Sequence, residues 1–244
     1  MLFEKLSLEA LYYDLISETN GGRPNKDLAI SPDLIKSWIV EKRWKYIDQA
    51  RSKNKKLDTV FVQSFCAEMT PVNSSECCDV DLPCTFLRST LPMPQFIQLN
   101  RVGNVEVAGK NYQVIPYERV ALEKYAPHWA LKKPKFYIKD TDNFLYAYIH
   151  KDINPESLYL TKVGISGILV DPRAVSPFNC LTGNCYSDTD LFPLSIKMWE
   201  AMRSDLLMNE LRIATISSTD DSNNSKNDPE VNNLRKLNVQ KAQD

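Results

Sequence analysis

The residues between 57 and 170 constrain the fold of this chain most. They hold "TVFVQSF", "QFIQLN", "VEVAG", "YQVIPY", "KFYIKD", "FLYAYIH" and "LYLTKVGISGILV", all rich in β-branched and aromatic side chains that partly alternate with polar ones. Such residues suit a pleated, half-buried surface. Turn formers separate them in "NRVGN", "AGKN", "KDTDN" and "DINPES". The pattern predicts an antiparallel sheet of about six strands. "YERVALEKYA", at 117–126, predicts a short helix inside this region. "GISG", at 164–167, reads as a bulge or kink within a strand rather than a phosphate loop.

The flanks have a different period. Leu8, Leu11, Tyr12, Leu15 and Ile16 recur at helical spacing behind Ser7, a candidate N-cap, and "NGG" at 20–22 ends that helix. A second helix opens at "SPDLIKSW", with Ser31 as cap, Pro32 in the first helical position and Asp33 suited to the helix dipole. It extends to about residue 52, and Leu34, Ile35, Trp38, Ile39, Tyr46 and Ile47 form its buried stripe. A third, long helix is expected from "LSIKMWEAMRSDLLMNELRI", capped by Asp190, with Pro193 in its first turn and Ile196, Trp199, Met202 and Leu206 on one face.

The expected fold class is therefore α+β: a helical bundle formed by the N- and C-terminal helices, an inserted antiparallel β-rich domain projecting from it, and an extended C-terminal arm. The boundaries fall at 1–56 for the N-terminal helices, 57–170 for the β-rich insertion, 171–216 for a loop and the long helix that completes the helical body, and 217–244 for the arm.

With 244 residues, 43% of them hydrophobic, the chain has enough apolar surface for one sizeable core. A net charge of -1 predicts no nucleic-acid coat. No stretch reaches the roughly 18 apolar residues of a membrane span, and the start lacks the basic and apolar regions of a signal peptide, so a chain made and used inside a cell is expected. Only 7 glycines argue against phosphate-binding turns, and no P-loop or nucleophile-elbow motif occurs. His128 and His150 read as structural or surface residues. Asp140 and Asp142, in "KDTDNF", are a D-x-D pair that also fits a hairpin turn, and the turn is favoured. Cys77, Cys84, Cys180 and Cys185 are the metal candidates, since four thiolates would complete a tetrahedral zinc site. Their spacings are looser than a zinc knuckle, so no metal and no other cofactor is expected, and small buried thiols are the plainer reading.

Two charge features remain. Residues 36–56 carry eight Lys or Arg against Glu41 and Asp48, with Trp38, Trp44 and Tyr46 interleaved. A basic helix with aromatics can track phosphates, which makes Lys42, Arg43, Lys45 and Arg51 candidates to face DNA or an acidic neighbour. The alternative is an amphipathic helix whose polar face happens to be basic. Residues 219–230, "TDDSNNSKNDPE", contain no apolar side chain, so nothing in them offsets the entropy of ordering. Asp220, Asp221 and Asp228 in this run, with Leu234, Leu237 and Val239 beyond it, are candidate contacts to another chain.

"DLFPLSIKMWEAMRSDLLMNELRI" followed by "STDDSNNSKNDPE" resembles the end of virion structural proteins from podovirus-like tailed phages, in particular the crAss-like phages of gut bacteria. The layout of helical body, β-rich insertion and C-terminal arm is similar to head-to-tail adaptor or ring proteins of the virion connector. The resemblance implies a non-enzymatic subunit that forms a ring with copies of itself, binds the portal and other connector or tail proteins, and continues the channel for packaged DNA. It also implies a place in the virion after assembly in the host bacterial cytoplasm, and no membrane partner. The rival readings are a nucleic-acid-binding accessory protein that uses the helix at 36–56, and a small cysteine-based zinc module.

Overall fold

Seven strands close into a barrel in the computed structural model, which describes residues 6–19, 30–72, 84–105, 111–125, 133–150, 160–180, 183–184 and 186–211. The strands are β1 (Gln63–Val72), β2 (Cys84–Ser89), β3 (Phe96–Asn104), β4 (Asn111–Val114), β5 (Lys135–Ile138), β6 (Leu145–His150) and β7 (Lys162–Leu169). Around the barrel the order is β1-β2-β6-β5-β4-β3-β7, with β7 pairing back to β1. Every neighbouring pair is antiparallel except β4 and β5, which run parallel.

Period-two alternation divides the strand residues between two faces. On β5 and β6, Phe136, Leu145, Ala147 and Ile149 join the main hydrophobic core. Tyr137, Tyr146 and Tyr148 point to the opposite face and are also buried. Tyr137 stacks on Tyr146 at 5.4 Å and meets Tyr117 at 5.8 Å, so the 3-10 segment Tyr117–Tyr125 touches this outer face. A sheet buried on both faces at this point cannot stand out from a helical body as a one-sided satellite.

Strand β7 carries the close approach that lets β3 cross it. The β3–β7 register slips twice, between Phe96 and Gln98 and between Leu99 and Arg101. Gly167 lies opposite Leu99 between the two slips, and a Cβ there would sit 2.7 Å from the Gln98 carbonyl oxygen. The irregularity expected at "GISG" is therefore met on the partner strand, and glycine is what its neighbour requires.

Three helices lie against the barrel: α1 (Leu8–Thr19), α2 (Pro32–Ser52) and α3 (Ile196–Asp205), the last continuing as a π-helical turn over Leu206–Leu211. Ser7 caps α1 by accepting from the Ala10 N–H at 3.1 Å. Pro32 begins α2 after Ser31, whose side chain makes no capping bond. Ser195, not Asp190, caps α3, accepting from Met198. Asp190 is engaged by the Ser187 N–H at 2.7 Å. Asp14 of α1 accepts from the Trp199 indole at 3.0 Å and from Arg203 at 3.2 Å, which ties α1 to α3.

The helical bundle with an inserted, projecting β domain is thus overturned. Leu8, Leu11, Leu15, Ile35, Ile39, Trp199 and Met202 from the helices share one core cluster with Phe65, Val102, Phe136 and Ile165 of the barrel. The β region is a closed barrel, and the helices complete its core rather than forming a body of their own. β4 and β5 also break the expected antiparallel order. Asn179–Cys180 and Gly183–Asn184 form a separate small hairpin, β8 and β9. No helix among the described residues is long and apolar enough to cross a membrane.

Candidate functional site

Helix α2 is where the sequence concentrates positive charge, and its packing divides that charge in two. Ile35, Ile39 and Ile47 are buried at spacings of four and eight, and Arg43 occupies the missing step of the same stripe. Its side chain is 0% exposed. It donates to the carbonyls of Pro193 at 2.8 Å, Leu169 at 2.8 Å and Phe61 at 3.4 Å, and lies 5.8 Å from the centre of the Phe192 ring. Burial pushes its pKa down to about 10, far enough above neutrality that the guanidinium stays charged. One side chain thereby joins α2 to the end of β7, to the approach to β1 and to the lead into α3. The planar, forked guanidinium is suited to several acceptors at once, which an ammonium is not.

The neighbouring cations have partners as well. Lys36 pairs with Asp188 at 2.7 Å. Lys42 pairs with Asp205 at 2.8 Å and Glu210 at 3.2 Å, bridging α2 to α3 and its π turn. The hydrogen bond to Lys42 is the main reason the Asp205 carboxyl is held below its ordinary value, and the same bond raises Lys42. Lys45 pairs with Glu41 one turn back and is half-exposed. Arg51 donates to the Ile97 carbonyl, holding the end of α2 on β3.

Beyond Arg51 the situation reverses. The helix ends through the Lys53 N–H, which bonds back to Gln49 and Arg51 carbonyls, with Asn54 at φ 53 and the Lys55 N–H on the Ala50 carbonyl at 3.0 Å. Lys53, Lys55 and Lys56 are exposed, and among the described residues none of them makes an ion pair. Lys55 and Lys56, with Arg51, line an open groove of about 510 Å³ whose walls include Leu57, Val62, Gln98 and Ile168. Sequence reasoning counts these three lysines in the basic run of residues 36–56 but singles out Lys42, Arg43, Lys45 and Arg51 instead. The signal is nevertheless present: they follow the last apolar residue of the α2 stripe, Ile47, and flank Asn54 in "SKNKK".

The remaining candidates divide between described and undescribed residues. "KDTDNF" is the β5–β6 turn: Asn143 adopts φ 59, Asp142 accepts from the Phe144 N–H at 3.0 Å, and the Tyr146 hydroxyl donates to Asp142 at 2.8 Å. Cys77 and Cys185 lie outside the described residues, as do the side chains of Cys84 and Cys180. Cys66 is a free thiol in β1. No group of three metal-binding side chains converges among the described residues. His128, and the arm residues Asp220, Asp221, Asp228, Leu234, Leu237 and Val239, also lie outside them.

The described surface carries side chains that hold elements together and, at the end of α2, a basic groove. No curated protein matches the chain. A family model for phage tail ring protein 2 of the crAss-like phages matches residues 10–229.

Proposed function

Because the chain belongs to this family of phage tail ring proteins, we propose that it is a non-enzymatic structural subunit that assembles with copies of itself into a ring of the virion. Its finer place is the head-to-tail connector, as an adaptor below the portal whose ring continues the channel for packaged DNA. The observation that carries the ring reading is the family match over residues 10–229. A building-block role is supported by the way Arg43, Lys42 and Asp14 fasten the three helices to one another and to the barrel.

Of the four cations expected to face DNA or a neighbour, Lys42 and Arg43 are held inside the chain, Lys45 pairs with Glu41 and Arg51 donates to the Ile97 carbonyl, so the exposed Lys53, Lys55 and Lys56 are better placed for that role. Residues 217–244 act as the assembly arm in this reading. Light scattering and negative-stain imaging of the purified full-length chain, alone and with the portal protein, test it. Closed rings, or a ring formed only on the portal, are expected. A chain that stays monomeric under both conditions while binding DNA with a steep salt dependence would overturn the reading in favour of a nucleic-acid-binding accessory protein.

A further inference from the structure

The groove at the end of α2 combines three features that point to one kind of occupant. Its mouth is basic, from Arg51, Lys55 and Lys56, with Lys53 exposed beside it. Its lining has one acid, Asp58, which accepts from the Val60 N–H at 3.2 Å, against three cations, so the groove is net positive. Its floor is partly apolar, from Leu57, Val62 and Ile168. A duplex would draw on a long track of cations, but the other cations of α2 are spent on Asp188, Asp205, Glu41 and buried carbonyls. A short acidic peptide needs only a local cluster and can use an apolar floor as well.

The chain carries such a peptide. Residues 219–230 include Asp220, Asp221, Asp228 and Glu230 against Lys226, and Val231 and Leu234 follow. The family match runs to residue 229 and so takes in most of this run. The described structure ends at Leu211. The run begins 8 and ends 19 residues beyond it, so when extended it lies roughly 30 to 60 Å from Leu211, beyond the ~18 Å radius of gyration expected for a chain of this length. The run can therefore reach a second subunit. Rings require a heterologous interface, in which one patch of a subunit meets a different patch of the next. An acidic segment and a basic groove on the same chain are such a pair.

We propose that the groove formed by the end of α2 against β3 and β7 is the seat of the acidic run 219–230 of the neighbouring copy, an inference that rests on the ring reading above. The contact would set which neighbour binds and how fast, as complementary charge does at other interfaces.

The test uses the unmutated, full-length chain first. Equal amounts of unlabelled and nitrogen-15-labelled protein are assembled and treated with a zero-length carboxyl-to-amine cross-linker. Mixed-isotope links from Lys53, Lys55 or Lys56 to Asp220, Asp221, Asp228 or Glu230 are expected. Links of a single isotope only would show the arm lying on its own subunit and overturn the proposal. Rings without any such link would overturn it while leaving the ring reading intact, whereas absence of any assembly sinks both. The second arm is a charge swap. K53E/K55E/K56E should weaken self-association by about tenfold or more. D220K/D221K/D228K in the same chain should restore it, a rescue that simple misfolding would not give. Unchanged assembly with selective loss of duplex DNA binding would assign the groove to DNA instead.

Discussion

The first part of α2 and its last turn carry the same kinds of side chain under opposite conditions. From Lys36 to Lys45 every cation has a partner in the chain, and one of them, Arg43, has no exposed surface at all. From Lys53 to Lys56 the lysines are exposed and, among the described residues, make no ion pair. The difference follows from what the helix lies on. Its first part meets α1, α3 and acidic loops that supply carboxylates and free carbonyls, and its end runs out over two strands that offer few acids. A basic run in a sequence is thus not a patch: it is the remainder after internal contacts have been subtracted.

The largest effect expected from breaking this division lies at Arg43. Arg43→Met keeps much of the volume but leaves the carbonyls of Pro193, Leu169 and Phe61 without this donor. A loss on the order of 3 kcal/mol is expected, which a thermal melt would register as a drop of about 10 °C. Arg43→Lys should recover only part, because one ammonium cannot reach all three carbonyls. A melt unchanged by Arg43→Met would show that the first part of α2 is not held in this way.

Next comes the seam under the free end. Gly167→Ala puts a methyl group against the Gln98 carbonyl and the Phe96 ring, and a loss of about 2 kcal/mol in urea unfolding is expected. If assembly suffers along with stability, the floor of the groove has moved as well.

Lys42 should give a smaller and pH-dependent effect. Lys42→Met removes a partly buried bridge, for which about 1 kcal/mol at neutral pH is expected. Asp205 is held below 3.8 in the fold, so its contribution is present above that value and is lost as pH falls through the depressed folded value. Lys42 is raised above 10.5, so its contribution is complete below that value and is lost as pH rises through the raised one. The variant should therefore show a flatter acid limb below about pH 4, and a flatter alkaline limb, than the parent. Identical limbs would mean that the bridge contributes nothing measurable.

The smallest effect on stability belongs to the unpaired end. Lys55→Glu alone should change the melt by no more than about 0.5 kcal/mol. A large loss there would show that the end of α2 is bound into the fold as firmly as its beginning, and the contrast would disappear.

Much of the local structure is legible in the sequence. Ser7 and Pro32 mark the helix starts where expected, and "KDTDNF" turns between β5 and β6. What cannot be read is what depends on distant partners. Strand β2, "CTFLRS", escapes the pattern: it is short, follows an acidic, cysteine-rich stretch and has no clear alternation. The parallel pairing of β4 with β5 and the return of β7 to β1 are non-local, and no periodicity encodes them. Without that closure, a row of strands reads as an open sheet beside a bundle. Charge alone assigns Arg43 to the polar face, although its spacing of four from Ile39 and Ile47 places it on the buried one. Leu34, expected in that stripe, is instead 46% exposed.

Each of the seven barrel strands has a hydrogen-bonded neighbour on both sides. Subunits in a ring are held at very high local concentration, where an unpaired strand edge would invite endless strand addition and fibre growth. Closure of the barrel narrows that route, since among the described residues the strands outside it are the two-residue β8 and β9. Contacts through shape, charge and side chains, by contrast, fix an angle between subunits and so let a ring finish.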